Sequence, residues 1–119
     1  MQLKRQHTMK RASEFAMVRA QGSSAAGRFL VLSTLPYTGE GAGAKESRFG
    51  IITTKRLGHA VVRNLLRRRL REILRAHGDA LAHGHYVVLI PRHTAATAAY
   101  TELEKDFLRL LKRKHFTTD

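Results

Sequence analysis

One stretch of the chain concentrates side chains able to do chemistry. Arg63, Asn64, Arg67, Arg68, Arg71 and Arg75 recur at three- and four-residue spacing between His59 and His77. On a helix such residues share one arc. Val62, Leu66, Leu70 and Ile73 fall on the opposite arc, with Leu65 at its edge. A solvated helix face ordinarily mixes charge signs for i,i+4 pairing; here only Glu72 dilutes the positive field. Arg63, Arg67, Arg71 and Arg75 stand four apart and repel one another unless an anion covers them. The bland alternative is a basic face that only keeps the protein soluble. The functional reading is a phosphate-binding face, on which five arginines neutralise about four to six phosphates and make affinity steeply salt-dependent. Asn64 adds a hydrogen-bonding group for a base edge or a ribose hydroxyl. Arg69 falls among the apolar residues and is expected to snorkel from their margin.

The elements that must position this face read as follows. A short helix over 12–20 carries Phe15, Met17 and Val18 behind Ser13, a good N-cap residue. Gln21 to Gly27 reads as a turn, and Phe29 to Leu35 as a strand stopped by Pro36. Residues 37–46 hold Gly39, Gly41 and Gly43 and read as a flexible loop. Arg48 to Thr54 reads as a second strand, forming a hairpin with the first. The basic helix over 59–77 has Gly78 where a C-terminal cap belongs. Tyr86 to Ile90 is a buried-type strand ended by Pro91, and Leu103, Phe107, Leu110 and Leu111 mark a last amphipathic helix over 98–114. The order is α-β-β-α-β-α. The expected class is α+β, a two-layer α/β sandwich in which helices pack a small mixed sheet.

The 119 residues are expected to form a single domain, with residues 1–11 a mobile basic arm. The chain carries 22 Lys and Arg against 9 Asp and Glu, a formal net charge of +13. That surplus points to a polyanionic partner, and the preference for Arg over Lys favours nucleic acid over a membrane surface. A membrane-surface helix would want bulky aromatics on its apolar face, and this one has none. No apolar run approaches the roughly 18 residues of a membrane span, and the basic N-terminus is not followed by a signal-peptide core. The absence of cysteine excludes a disulfide scaffold, a thiolate metal site and a thiol nucleophile. A cytoplasmic location is expected.

Lys55-Arg-Leu-Gly-His-Ala-Val-Val-Arg-Asn-Leu-Leu-Arg-Arg-Arg-Leu-Arg-Glu72 closely resembles the signature of the bacterial ribonuclease P protein subunit. Arg48-Phe-Gly-Ile-Ile52, the Phe15 helix, the strand at Tyr86 and the last helix are similar to that family's elements in the same order, so the resemblance covers nearly the whole chain. It implies a subunit that binds a catalytic RNA, the pair removing the 5′ leader from precursor tRNA by Mg2+-dependent hydrolysis. The magnesium ions are then held mainly by the RNA, with no catalytic group on the protein, no obligatory protein partner and no membrane partner. It also implies a left-handed β-α-β crossover, against the usual hand. Carried onto this chain, the RNA-binding residues are Lys55, Arg56, Arg63, Asn64, Arg67, Arg68, Arg71 and Arg75. A cleft for the single-stranded leader is bounded by Phe15, with Arg11 and Arg19. Core packing of a short helix is the plainer role for Phe15.

The sequence departs from the family pattern at three places. Leu65 stands where a second arginine usually follows Asn64, a loss that Arg69 is expected to make good. Arg19 and Ser33 stand at aromatic positions, which weakens leader stacking, worth about 1–3 kcal/mol per base. His83-Gly84-His85 reads as an exposed turn rather than a metal site, and Gly39 to Lys45 lacks phosphate-loop spacing. The carboxylates are too scattered for a protein-built two-metal nuclease. A structural RNA-binding protein of the ribosomal type is the alternative reading, and a stand-alone nuclease or DNA-binding module a third.

Overall fold

The computed structural model describes residues 8, 9, 11–41, 46–78, 81 and 83–114. Three helices, α1 (Ala12–Gln21), α2 (Ala60–His77) and α3 (Tyr100–Lys114), pack on four strands: β1 (Ser23–Ala26), β2 (Leu30–Pro36), β3 (Arg48–Ile51) and β4 (His85–Pro91). One-turn 3-10 segments at Lys55–Leu57 and His93–Thr97 precede α2 and α3. The strand order is β1-β2-β4-β3. β1 pairs antiparallel with β2 (Ala26 opposite Val31), β2 antiparallel with β4 (Leu32 opposite Leu89), and β3 parallel with β4 (Gly50 opposite Val88).

The α+β class and the mixed sheet are as expected, but the expected hairpin of the second and third strands does not form. β4 lies between them, because Val87, Val88 and Leu89 are all buried and a strand apolar on both faces belongs in the sheet's centre. The hairpin is instead β1–β2. β1 is Ser-Ser-Ala-Ala, without the β-branched residues that announce a strand, and so it reads as a turn.

Side-chain alternation along the central strands separates two cores. Leu30, Leu32, Phe49, Val87 and Leu89 face α2 and α3, meeting Leu66, Leu70, Ile73, Leu103, Phe107 and Leu110. Val88, with Leu35, Tyr86 and Ile90, faces α1 through Val18 and Phe15. The two-layer core is thus joined by α1 on the sheet's other face. Each leucine buried here contributes about 1.5–3 kcal/mol.

α1 begins two residues earlier than Ser13 as N-cap would set it. Arg11 is the N-cap, and its backbone N–H donates to Glu14 Oε1 at 3.4 Å. Gly78 does cap α2, but in right-handed backbone (φ −59°). Of the basic arm expected over 1–11, residues 1–7 and 10 lie outside the described residues. Thr8 and Met9 are no free arm: Met9 is buried beside Val18, and its N–H donates to Phe49 O at 2.8 Å. Of the loop over 37–46, residues 42–45 lie outside the described residues.

α3 is tied to the β1–β2 hairpin by Asp106, which is 1% exposed. Its carboxylate accepts the backbone N–H groups of Arg28 (3.2 Å), Phe29 (3.0 Å) and Leu30 (2.9 Å). Gly27 is required for that approach, since a Cβ there would fall 2.4 Å from Asp106 Oδ1. Among the described residues, no helix is long and apolar enough to cross a membrane.

Candidate nucleic-acid interface

α2 follows β3 through a short bend. Lys55 and Arg56 stand exposed on the 3-10 turn, and Gly58 closes it with φ +129°, a conformation that L side chains rarely adopt. The helix then buries Leu66, Leu70, Ile73 and Leu74, and this turns the arginine arc outward. Asn64, Arg68, Arg71 and Arg75 are exposed; Arg63 and Arg67 are half-buried. Asn64 Oδ1 accepts from Arg67 Nη1 at 3.1 Å, so the two groups act as a unit. Arg75 pairs with Glu72 at 3.1 Å, the one acid on the arc drawing off part of its charge. Arg63 Nε and Thr53 Oγ1 are buried with no hydrogen-bond partner among the described residues.

Arg69 does not take the place left by Leu65. Its Nη1 donates to the carbonyl of Ala98 at 2.9 Å, joining α2 to the segment before α3. Its position among the apolar residues of the wheel is the mark of this inward role. Arg69→Ala is expected to lower stability by about 1–2 kcal/mol in urea unfolding, through the lost bond and stem packing.

Phe15 lies at the junction of both proposed sites. Its ring packs on Gly50, where a Cβ would fall 2.5 Å from the ring edge, and it joins the Val18 and Val88 cluster. It therefore has a core role and also lines a groove of about 470 Å³ with Ala16, Arg19, Ile51, Thr53 and Arg67. A smaller recess of about 140 Å³ brings Phe15 against Arg67 and Arg71. Arg67 lines both spaces, so the basic row of α2 runs into the groove beside α1. Gly50→Ala is expected to displace the Phe15 ring and cost about 1–3 kcal/mol by overpacking, measurable by urea unfolding.

The remaining cleft residues separate. Arg19 lines the Phe15 groove, but Arg11 does not; it faces a different groove on the other flank of α1. Ser33 is buried, and its hydroxyl hydrogen-bonds Ser24 Oγ at 2.6 Å, tying β2 to β1 where an aromatic platform was the family expectation. Sequence reasoning missed Ile51, Ile52 and Thr53, which line the groove where β3 ends, and Arg48, whose 3.3 Å pair with Glu14 fixes α1 to β3. No local spacing announces these residues: with Arg11 rather than Ser or Thr three positions before Glu14, the capping signature is absent. Of the expected exposed turn, only His83 is exposed in the bend before β4; His85 is the strand's half-buried first residue, opposite Pro36, with its Nδ1 2.8 Å from His83 O.

The sequence model of the family described as Ribonuclease P matches residues 3–115. The chain belongs to the ribonuclease P protein family. The Ribonuclease P protein component of Syntrophomonas wolfei is 32% identical over 105 residues, covering 88% of this chain and 84% of that one. That of Thermus scotoductus is 43% identical over 93 residues, covering 78% of this chain but 51% of its own. Among solved structures, the RNase P protein of Staphylococcus aureus superposes with a TM-score of 0.81 at 25% identity, covering 92% of this chain and 96% of that one. The RNase P protein from Thermotoga maritima gives 0.73 at 26% identity, covering 95% and 94%. As a ribonuclease P protein, this chain has the mixed sheet packed by helices that its family's solved structures share.

Proposed function

We propose that this chain is the protein subunit of ribonuclease P in a bacterial cytoplasm. Lys55, Arg56 and the arginine arc of α2 bind the catalytic RNA. The groove between α1 and the end of β3 holds the single-stranded 5′ leader of precursor tRNA, a base against Phe15 and phosphate on Arg19 and Arg67. The ribonucleoprotein then removes the leader by Mg2+-dependent endonucleolytic hydrolysis, leaving the mature 5′ end. The observation that carries this reading is Arg67, which belongs both to the basic row and to the Phe15 groove. One guanidinium thereby joins an RNA-binding face to a space with an aromatic wall.

The protein's part is electrostatic and positional. Its arginines screen repulsion between two RNAs and release counterions from both. Among the described residues no three His, Asp or Glu side chains gather into a group able to hold a metal ion. In this reading the RNA holds the magnesium ions and the protein supplies affinity and position.

The test is cleavage of labelled precursor tRNA at low magnesium and physiological ionic strength. Its arms are buffer, protein alone, ribonuclease P RNA alone, and both together. Cleavage is expected only with both, at a magnesium concentration where the RNA alone is inactive. Cleavage by the protein alone would overturn the mechanism. Tight rRNA binding without stimulation of the RNA would favour a ribosomal role.

A further inference from the structure

The other flank of α1 carries a groove of about 560 Å³ to which the leader-binding reading gives no role. Tyr37 and Tyr86 both line it and meet edge to face, their centroids 4.7 Å apart. Tyr37 is fixed at both ends: its N–H donates to Gly84 O at 2.7 Å and its hydroxyl to Glu46 O at 3.1 Å. Burial pushes its phenol up to about 12, against the pull of the Arg48 charge, so it remains a neutral donor at working pH. Arg11 and Arg48 line the same space with a single carboxylate, Glu14. The Arg48–Glu14 pair is made through one nitrogen at 3.3 Å and leaves 47% of the arginine side chain exposed, with donors to spare.

Rigid aromatic rings beside guanidinium groups suit a ligand that is planar at one end and anionic at the other. Single-stranded RNA has that composition, base for the ring and phosphate for the arginine. An acidic peptide would satisfy Arg11 and Arg48 but bring no flat partner for the tyrosines. The net charge of +13 favours the same polyanion. We propose that this groove is a second nucleotide site, which takes one residue of single-stranded RNA with its base on Tyr37 and Tyr86 and its phosphate on Arg11 and Arg48. The inference rests on the RNA-binding reading above and extends it to both flanks of α1. One helix diameter, about 10–12 Å, separates the two grooves, a distance one strand can cross.

The test uses the full-length protein and a short single-stranded RNA carrying 5-iodouridine, which cross-links to aromatic side chains on irradiation. Peptide mapping by mass spectrometry is expected to find adducts at Tyr37 or Tyr86 as well as at Phe15. The double variant Tyr37→Leu, Arg11→Ala should lower the tyrosine-site adduct by about fivefold or more, the worth of one stacked base, and leave the Phe15 adduct and the circular dichroism spectrum unchanged. Arg11→Ala spares the α1 cap, which uses the backbone N–H. Adducts at Phe15 alone overturn this site and leave the RNA-binding reading standing. Adducts at neither place overturn both. Suppression of the tyrosine-site adduct by an acidic peptide present during irradiation, but not by unlabelled oligouridylate, would overturn it in favour of a protein partner.

Discussion

Asp106→Ala is expected to destabilise the fold by about 3–5 kcal/mol, because the two buried N–H groups of Phe29 and Leu30 lose their acceptor at about 1–3 kcal/mol each, and Arg28 loses a third, part-buried bond. The affected donors belong to Arg28, Phe29 and Leu30, at the point where the β1–β2 hairpin turns beneath α3. Water can replace the acceptor at the exposed Arg28 but not at Phe29 and Leu30, which are buried. Against a total of about 5–15 kcal/mol for a small domain, a loss of this size approaches unfolding. Thermal unfolding followed by circular dichroism should show a fall of more than about 10 °C. Asp106→Asn should recover little, because its amide turns one end from acceptor to donor. Gly27→Ala attacks the same lock from the other side, where a Cβ would fall 2.4 Å from the carboxylate. An Asp106→Ala protein that melts like the wild type would show that the apolar face of α3, with the Arg113 and Lys114 bonds to β1, holds the helix without the carboxylate.

This residue also shows where the sequence stops being legible. On the wheel of the last helix, Asp106 sits beside Phe107 and Leu110, and one acid among scattered acids carries no local signal. Its partners lie 76 to 78 positions away in the chain, and no periodicity reports such a distance. The basic helix was readable for the opposite reason: its arcs are set by i,i+4 geometry within one element, and packing against Leu32 and Leu89 had only to accept them. Strand order fell between these cases. The unbroken apolar run Tyr86 to Ile90 contains the information that β4 is central, yet the nearness of the two earlier strands in sequence suggested a hairpin. Arg11 and Phe15, one helical turn apart, were assigned to one cleft. α1 crosses the sheet with a groove on each flank, and Arg11 is its N-cap in extended backbone (φ −91°, ψ 134°), so the four-residue rule that would set it beside Phe15 does not apply. Arg69 was misread because a wheel shows which side a residue faces, not that a carbonyl at Ala98 waits there.

That distinction between arginines gives the sharpest expected result for function. Arg67→Ala with Arg68→Ala should weaken binding to ribonuclease P RNA by about 100-fold or more, since each charge-assisted hydrogen bond lost is worth about 1.5–3 kcal/mol. The slope of log affinity against log salt should flatten by about 1.4–1.8, close to one counterion per lost phosphate contact. The two residues are then separable. Arg68 is exposed on the outer arc and lines neither groove, so if it contacts the catalytic RNA as proposed, Arg68→Ala should weaken assembly and leave leader preference intact. Arg67 lines the Phe15 groove and carries Asn64, so Arg67→Ala should also reduce the advantage of a long leader over a short one in precursor binding. Arg69→Ala supplies the control that charge alone does not explain the result. It removes the same formal charge from the same helix, but from a guanidinium spent on Ala98, so it should lower the melting temperature and barely move the salt slope. Equal salt slopes for all three variants would mean that the helix acts as a diffuse cloud of charge. Unequal ones, in the order set by which way each guanidinium faces, would mean that the fold sorts identical side chains into an RNA face, a leader groove and a structural strut.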